Sequence, residues 1–80
     1  MNLQILLFGI STDLVGATSI KVSLPLDSSV LNLKNRMKEE YPKLSEINSY
    51  AIAVNESYAS NETLLKENDV IAIIPPVSGG

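Results

Sequence analysis

The 80-residue sequence contains no cysteine, no histidine and no tryptophan. The absence of cysteine excludes disulfide bonds, thiolate metal sites and a cysteine nucleophile. The absence of histidine removes the commonest general base and the commonest metal ligand. The Asp and Glu residues are scattered without the spacing of metal ligands. With no nucleophile–base pair in view, we expect a chain that is not an enzyme by itself and that binds no metal.

Long apolar runs and clusters of basic residues are also missing. The longest early apolar run, Ile5 to Phe8, is too short for a signal peptide or a membrane span. Six Lys and Arg residues are scattered along a chain of net charge −3, without interleaved aromatic residues. This pattern disfavours nucleic-acid binding. We therefore expect a cytoplasmic protein with neither nucleic acid nor membrane among its partners.

The residues that are present indicate one small folded domain. At 45% hydrophobic and 19% charged, the composition is that of a globular chain and not of a disordered one. No repeat or interdomain linker divides it. We predict a folded domain over residues 1–74 and a flexible C-terminal tail over residues 75–80.

Alternating and short apolar runs predict four strands, and Tyr58 starts a possible fifth strand at an edge. The predicted strands are 3–8, 20–24, 50–54 and 70–74. Between the first two strands, residues 9–19 are predicted to form a connection, with a turn over residues 13–16 that ends at a glycine free to take positive φ.

One main helix is predicted between the second and third strands. Val30, Leu33, Met37 and Tyr41 recur at helical spacing, residues 27–29 supply candidate N-caps, and a proline follows directly. The order β-β-α-β-(β)-β predicts an α+β fold of the β-grasp (ubiquitin-like) class. In this fold one helix covers one face of a mixed sheet of four to five strands, and the first and last strands can lie side by side at its centre.

The sequence ends with two prolines and a diglycine, over residues 75–80 (PPVSGG). Pro75 and Pro76 cannot donate backbone hydrogen bonds, so they end sheet pairing and favour an extended chain. Fully extended, the six residues of the tail would reach about 20 Å. Gly79 and Gly80 have no side chains and could thread a narrow slot, where an activating enzyme could adenylate the terminal carboxylate. A terminal diglycine can also be accidental.

Three segments carry a resemblance to a known family: residues 69–80 (DVIAIIPPVSGG), 13–16 (DLVG) and 53–55 (AVN). They resemble the corresponding segments of the MoaD family, the small subunit of molybdopterin synthase, whose members are ubiquitin-like sulfur carriers. The resemblance covers essentially the whole chain in length and element order. The ending Pro75-Pro76-Val77-Ser78-Gly79-Gly80 is its most specific part.

The resemblance implies a role as a protein cosubstrate in molybdenum cofactor biosynthesis. Gly80 would be adenylated by an ATP-dependent, E1-like activating enzyme and converted to a thiocarboxylate. The tail, Pro75 to Gly79, would then thread into the large subunit of molybdopterin synthase, and the sulfur would pass to cyclic pyranopterin monophosphate. Two small subunits would sit at opposite ends of a large-subunit dimer, as a heterotetramer. The chain would bind no cofactor itself, because ATP is used by the activating partner.

Strand alternation predicts an apolar docking patch beside the tail. If the helix covers the face that bears Ile5, then Leu6 and Phe8 point to the opposite face, with Ala72 and Ile74 beside them. We predict that Leu6, Phe8 and Ile74 contact the partner. The patch could instead be ordinary surface hydrophobicity, or the register could be wrong by one residue.

Two other functions remain open. A sulfur carrier for thiamin synthesis or tRNA thiolation, or a ubiquitin-like protein modifier, would use the same tail. A non-catalytic β-grasp interaction domain would not use its glycines at all.

Overall fold

The computed structural model describes residues 1–47 and 49–76, which form a mixed five-stranded sheet and its helices. The elements in chain order are β1 (Asn2–Leu7), α1 (Ile10–Val15), β2 (Ser19–Ser23), α2 (Val30–Glu40), a 3₁₀ helix (Pro42–Glu46), β3 (Ala51–Val54), β4 (Ser57–Ala59) and β5 (Val70–Ile74).

The sheet has the strand order β2-β1-β5-β3-β4. β1 and β5 are parallel and lie side by side, with Leu6 opposite Ala72. The pairs β1–β2, β5–β3 and β3–β4 are antiparallel. A mixed sheet with its first and last strands adjacent and one main helix is the β-grasp arrangement, so the predicted fold class is confirmed.

The core lies between α2 and one face of the sheet. Strand alternation buries every second side chain, as in the burial of Leu3, Ile5 and Leu7 along β1. Helix α2 contributes one apolar stripe, made of Val30, Leu33 and Met37. The segment before β5 adds Leu65, which is 3% exposed, whereas Leu64 is 58% exposed. The apolar face of the predicted helix and the inward face of β1 are therefore confirmed.

Polar residues and a proline fix the ends of α2. The Ser29 hydroxyl accepts a hydrogen bond from the Asn32 amide at 3.2 Å, and Asn32 Oδ1 accepts one from the Ser29 amide at 2.8 Å. This reciprocal capping box satisfies donors that a helix start leaves free. Pro42 follows the helix, as predicted, and also begins a 3₁₀ helix that the sequence did not predict. Proline suits that first position because its missing N–H would have no partner there.

The predicted connection over residues 9–19 was wrong in one respect, because it contains the six-residue helix α1. Gly9 precedes α1 at φ 54, and Gly16 ends it at φ 88 with its amide donating to the Thr12 carbonyl at 2.8 Å. The predicted glycine with positive φ at the end of this turn is thus confirmed. A helix this short shows less than two turns of periodicity, which is too little for the sequence pattern to reveal.

Candidate functional site

The face of the sheet opposite α2 is apolar around its central strands. Leu6 of β1 lies opposite Ala72 of β5, Ala72 lies opposite Ala53 of β3, and Ala53 lies opposite Tyr58 of β4. Residues directly opposite in neighbouring strands share a face, so this row crosses four strands on the open side. The predicted outward direction of Leu6 and Ala72 therefore agrees with the register.

A groove of about 470 Å³ runs across this face. Phe8, which follows the last residue of β1, is 49% exposed at its wall. The lining residues are Leu6, Phe8, Asn55, Glu56, Val70 and Ala72. A large aromatic ring left half in water beside other apolar side chains is typical of a protein interaction surface.

A second groove, of about 400 Å³, lies at the base of the predicted tail. Its lining residues are Ser49, Tyr50, Ala51, Tyr58, Ile74, Pro75 and Pro76. Ile74 lies opposite Ala51 in the sheet, which places it on the open face. The structure therefore brings Leu6 and Phe8 into one groove and Ile74 into the other, and partner contact by each of them stays a prediction.

The tail base also lies close to the junction of β1 and α1. A Cβ atom built on Gly9 would lie 3.8 Å from Cγ of Pro75, which is half-buried. Pro76 is exposed. The predicted tail residues Val77, Ser78, Gly79 and Gly80 lie outside the described residues.

The fully buried side chain of Ser11 holds the backbone of Phe8 in place. Its hydroxyl donates to the Phe8 carbonyl at 2.6 Å and accepts from the Phe8 amide at 3.1 Å. Because this hydroxyl both donates and accepts a hydrogen bond, it fixes the turn that carries the exposed Phe8 ring. The position of Phe8 therefore depends on a residue that sequence patterns did not single out.

At the other end of β5, a polar network joins two loops. The Asn55 side chain donates to Asp69 at 2.9 Å and accepts from the Val70 amide at 3.0 Å. The second Asp69 oxygen accepts from the Lys66 amide at 2.8 Å, and Asp69 is 8% exposed. Asn55 has φ 49, which confirms the left-handed geometry that its turn propensity indicated.

Tyr50, beside the tail base, has an unusual environment. Burial raises the pKa of its phenol above the ordinary value of 10.0. Its buried hydroxyl has no hydrogen-bond partner among residues 1–47 and 49–76. The Lys34 ammonium lies 5.5 Å from the ring centroid, within reach of a cation–π interaction. We assign Tyr50 a packing role at the edge of the core.

Neither a metal cluster nor a membrane span is found in the described part of the chain. Across residues 1–47 and 49–76, no group of three or more acidic residues could hold a metal ion. Over the same ranges, no helix has the length and apolar character needed to cross a bilayer.

Tyr58 and Glu56 are among the residues at this site that were not predicted to belong to it. Tyr58 is 77% exposed, and the sequence predicted only that it begins an edge strand. Glu56 lines the first groove, and the sequence placed it only in a turn. The signal that could have found both is the two-residue spacing between β3 and β4, which sets the hairpin register and the face of Tyr58.

Comparisons with known proteins match nearly the whole chain. Residues 5–80 match the ThiS family. A molybdopterin synthase sulfur carrier subunit from Dictyostelium discoideum is 44% identical, and the match covers 96% of this chain and 94% of that relative.

Solved structures show the same fold. The crystal structure of SAMP1 from Haloferax volcanii has a TM-score of 0.90 at 21% identity, with 100% of both chains covered. A chain in the complex of subunits 1 and 2 of molybdopterin-converting factor from Helicobacter pylori has a TM-score of 0.73 at 27% identity, again with 100% of both covered. This chain therefore belongs to the ThiS family, among the ubiquitin-like sulfur carrier subunits of molybdopterin synthase.

Proposed function

We propose that this protein is the sulfur carrier subunit of a molybdopterin synthase and acts in molybdenum cofactor biosynthesis. The observation that carries the proposal is the placement of the apolar open face. This face adjoins the end of β5, where Ile74, Pro75 and Pro76 line one groove. A partner that covers the face would receive the chain that follows Pro76. The names of the relatives agree with this role.

The chemistry proposed for the tail takes place at Gly80. Its carboxylate attacks the α-phosphate of ATP and releases pyrophosphate, which leaves an acyl adenylate. A sulfur donor then displaces AMP and forms a thiocarboxylate. The terminal residue has no side chain to hinder attack at its carbonyl, and Gly79 lets the chain pass a narrow entrance. Within the synthase the sulfur moves to cyclic pyranopterin monophosphate, and water restores the carboxylate.

The catalytic side chains belong to the partners in this proposal. An E1-like activating enzyme binds ATP, and the large synthase subunit binds the pterin, so the carrier needs no cofactor of its own. Leu6, Phe8 and Ile74 contact the large subunit, and Val77 and Ser78 lie in its entrance. Two carriers bind at opposite ends of a large-subunit dimer and complete a heterotetramer.

Intact-mass analysis tests the central step. The chain is incubated with ATP, the activating enzyme and a sulfur donor. Replacing one oxygen with sulfur adds about 16 Da, the signature of the thiocarboxylate that a carrier must form. Omission of ATP and deletion of Gly80 are the matched controls and should each abolish the gain. An unchanged mass under the complete conditions would contradict the proposal.

A second assay separates this role from the alternatives that use the same tail. The thiocarboxylated chain is mixed with the large synthase subunit and cyclic pyranopterin monophosphate, and molybdopterin is measured. Formation of molybdopterin supports the synthase role. A thiocarboxylate that transfers no sulfur here would favour thiamin synthesis or tRNA thiolation. Adducts joined to lysine side chains would identify a protein modifier.

A further inference from the structure

Glu56 occupies a backbone conformation that normally favours glycine. Asn55 and Glu56 form the two-residue loop between β3 and β4, and Val54 pairs with Ser57 across it. Both loop residues have positive φ, 49 for Asn55 and 73 for Glu56. Positive φ at both positions defines the type I′ hairpin turn, whose second position is most often glycine. A glutamate at this position has a conformational cost that a glycine would not have. The turn itself does not require the glutamate side chain.

The turn is fixed to β5, so the position of Glu56 is well defined. The Asn55 amide donates to the Val70 carbonyl at 2.8 Å. The Asn55 side chain bonds both the Val70 amide and the Asp69 carboxylate. These contacts attach the loop to the strand that carries the tail. Glu56 therefore stands at a constant place beside the first groove.

Glu56 supplies the charge at an otherwise uncharged surface. Among the described residues that line the first groove, Glu56 alone has an acidic or basic side chain; the others are Leu6, Phe8, Asn55, Val70 and Ala72. Within residues 1–47 and 49–76, the ion pairs at 4.0 Å or less join the N-terminus to Glu67 and Arg36 to Glu40. Glu56 is thus exposed beside the apolar wall, and its carboxylate forms no ion pair within the described part of the chain.

We propose that Glu56 selects the partner surface by pairing with a lysine or arginine of the large synthase subunit. This inference rests on the proposed function, since it deepens the docking of that subunit. The partner inserts an apolar side chain between Leu6 and Phe8 and places its basic group beside Glu56. A charge at the rim of an apolar contact steers association and fixes the docking register. Recognition of the partner by the Glu56 carboxylate accounts for an acidic residue at a turn position that favours glycine.

The test measures binding and stability together. Affinity for the large subunit of molybdopterin synthase is determined by calorimetry at low and high salt for wild type, Glu56→Gln, Glu56→Gly and the matched control Glu62→Gln. Glu62 is an exposed acid outside the groove. We expect about tenfold weaker binding for both Glu56 variants, a loss of about 1.4 kcal/mol, and wild-type binding for the control. The affinities of Glu56→Gln and Glu56→Gly should also depend less on salt than the affinity of wild type.

Glu56→Gly should at the same time raise the melting temperature by about 4 °C, because it removes the conformational cost. The inference is overturned if Glu56→Gln binds like wild type, or if Glu56→Gly melts below wild type. Phe8→Asp, measured in the same experiment, distinguishes failure of the proposed docking face from failure of the proposed role of Glu56. If Phe8→Asp binds weakly while both Glu56 variants bind normally, the docking face stands and the role of Glu56 fails. If Phe8→Asp also binds like wild type, the proposed docking itself fails.

Discussion

The side-chain amide of Asn55 donates a 2.9 Å hydrogen bond to the buried carboxylate of Asp69, which joins the β3–β4 turn to the residue before β5. Leaving a buried hydrogen-bonding group without its partner costs about 1–3 kcal/mol. Asn55→Ala should therefore lower the free energy of unfolding by about that amount, as measured by urea denaturation. Asn35→Ala, an exposed asparagine within α2, is the control and should cost nothing, because alanine favours the helix. Equal stability of the two variants would show that the network contributes little.

Phe8→Asp should weaken binding of the large synthase subunit at least tenfold, or about 1.4 kcal/mol, because it places a charge on the apolar groove. Circular dichroism should show that the variant stays folded, since Phe8 is 49% exposed. Ile74→Asp should act in the same direction. Leu31→Asp is the matched control, with a side chain that is 45% exposed on α2. Unfolding of Phe8→Asp, or equal binding losses for Phe8→Asp and Leu31→Asp, would contradict the docking assignment.

Tyr58→Ala should also reduce binding of the large subunit, by about tenfold, while the melting temperature stays close to that of wild type. Tyr58 is 77% exposed beside Pro75 and Pro76, so it contributes little to the core and much to a covering surface. Leu64→Ala removes another exposed apolar side chain, 58% exposed and away from both grooves, and serves as the comparison. A variant Tyr58→Ala that binds at wild-type strength would remove Tyr58 from the interface.

Deletion of Gly80 should abolish molybdopterin formation and leave binding of the large subunit within about twofold of wild type, because the apolar face remains intact. Addition of one residue after Gly80 should abolish activity as well, since the reactive carbonyl would no longer be at the tip. Both are checked by the synthase assay together with calorimetry. Activity retained by either variant would mean that the tail does not carry the sulfur.

Tyr50→Phe should preserve stability near neutral pH and improve it in alkali. Burial raises the pKa of the Tyr50 phenol, so the folded state holds its proton more tightly than the unfolded state. The stabilisation linked to this proton is complete below the unfolded value of 10.0 and is lost as pH rises through the higher folded value. The melting temperature, measured at several pH values across this range, should fall less steeply with rising pH for Tyr50→Phe than for wild type. An equal fall in the melting temperature of the two proteins would contradict the assignment.

Local patterns in the sequence predicted the elements that span several residues. Alternation along β1 distinguished buried Ile5 from outward Leu6, because a strand has a side-chain period of two. The candidate N-caps at residues 27–29, of which Ser29 is the one used, and Pro42 marked the ends of α2, because each acts on the backbone next to it. β1 begins at Asn2, one residue before the predicted start, because hydrogen bonding by Asn2 depends on its neighbours in space.

Contacts between distant segments could not be predicted in the same way. The partnership of Asn55 with Asp69 depends on the antiparallel pairing of β3 with β5, which neither segment encodes alone. Helix α1 was missed because it is short and depends on Gly9 and Gly16 at its ends. The sequence also grouped Ile74 with Phe8, because strand alternation does not show how distant segments are arranged. The fold gives the two residues separate grooves.

The parallel pairing of Gln4 with Val70 has a consequence for how the protein is made. The strand that bears the tail is also the strand that joins the two halves of the sheet, so the nascent polypeptide cannot complete its fold until that strand has left the ribosome. Pairing between segments so far apart is slow compared with local helix formation. An incomplete translation product would expose unpaired edges to chaperones and proteases, and it could not offer a partner a finished carrier.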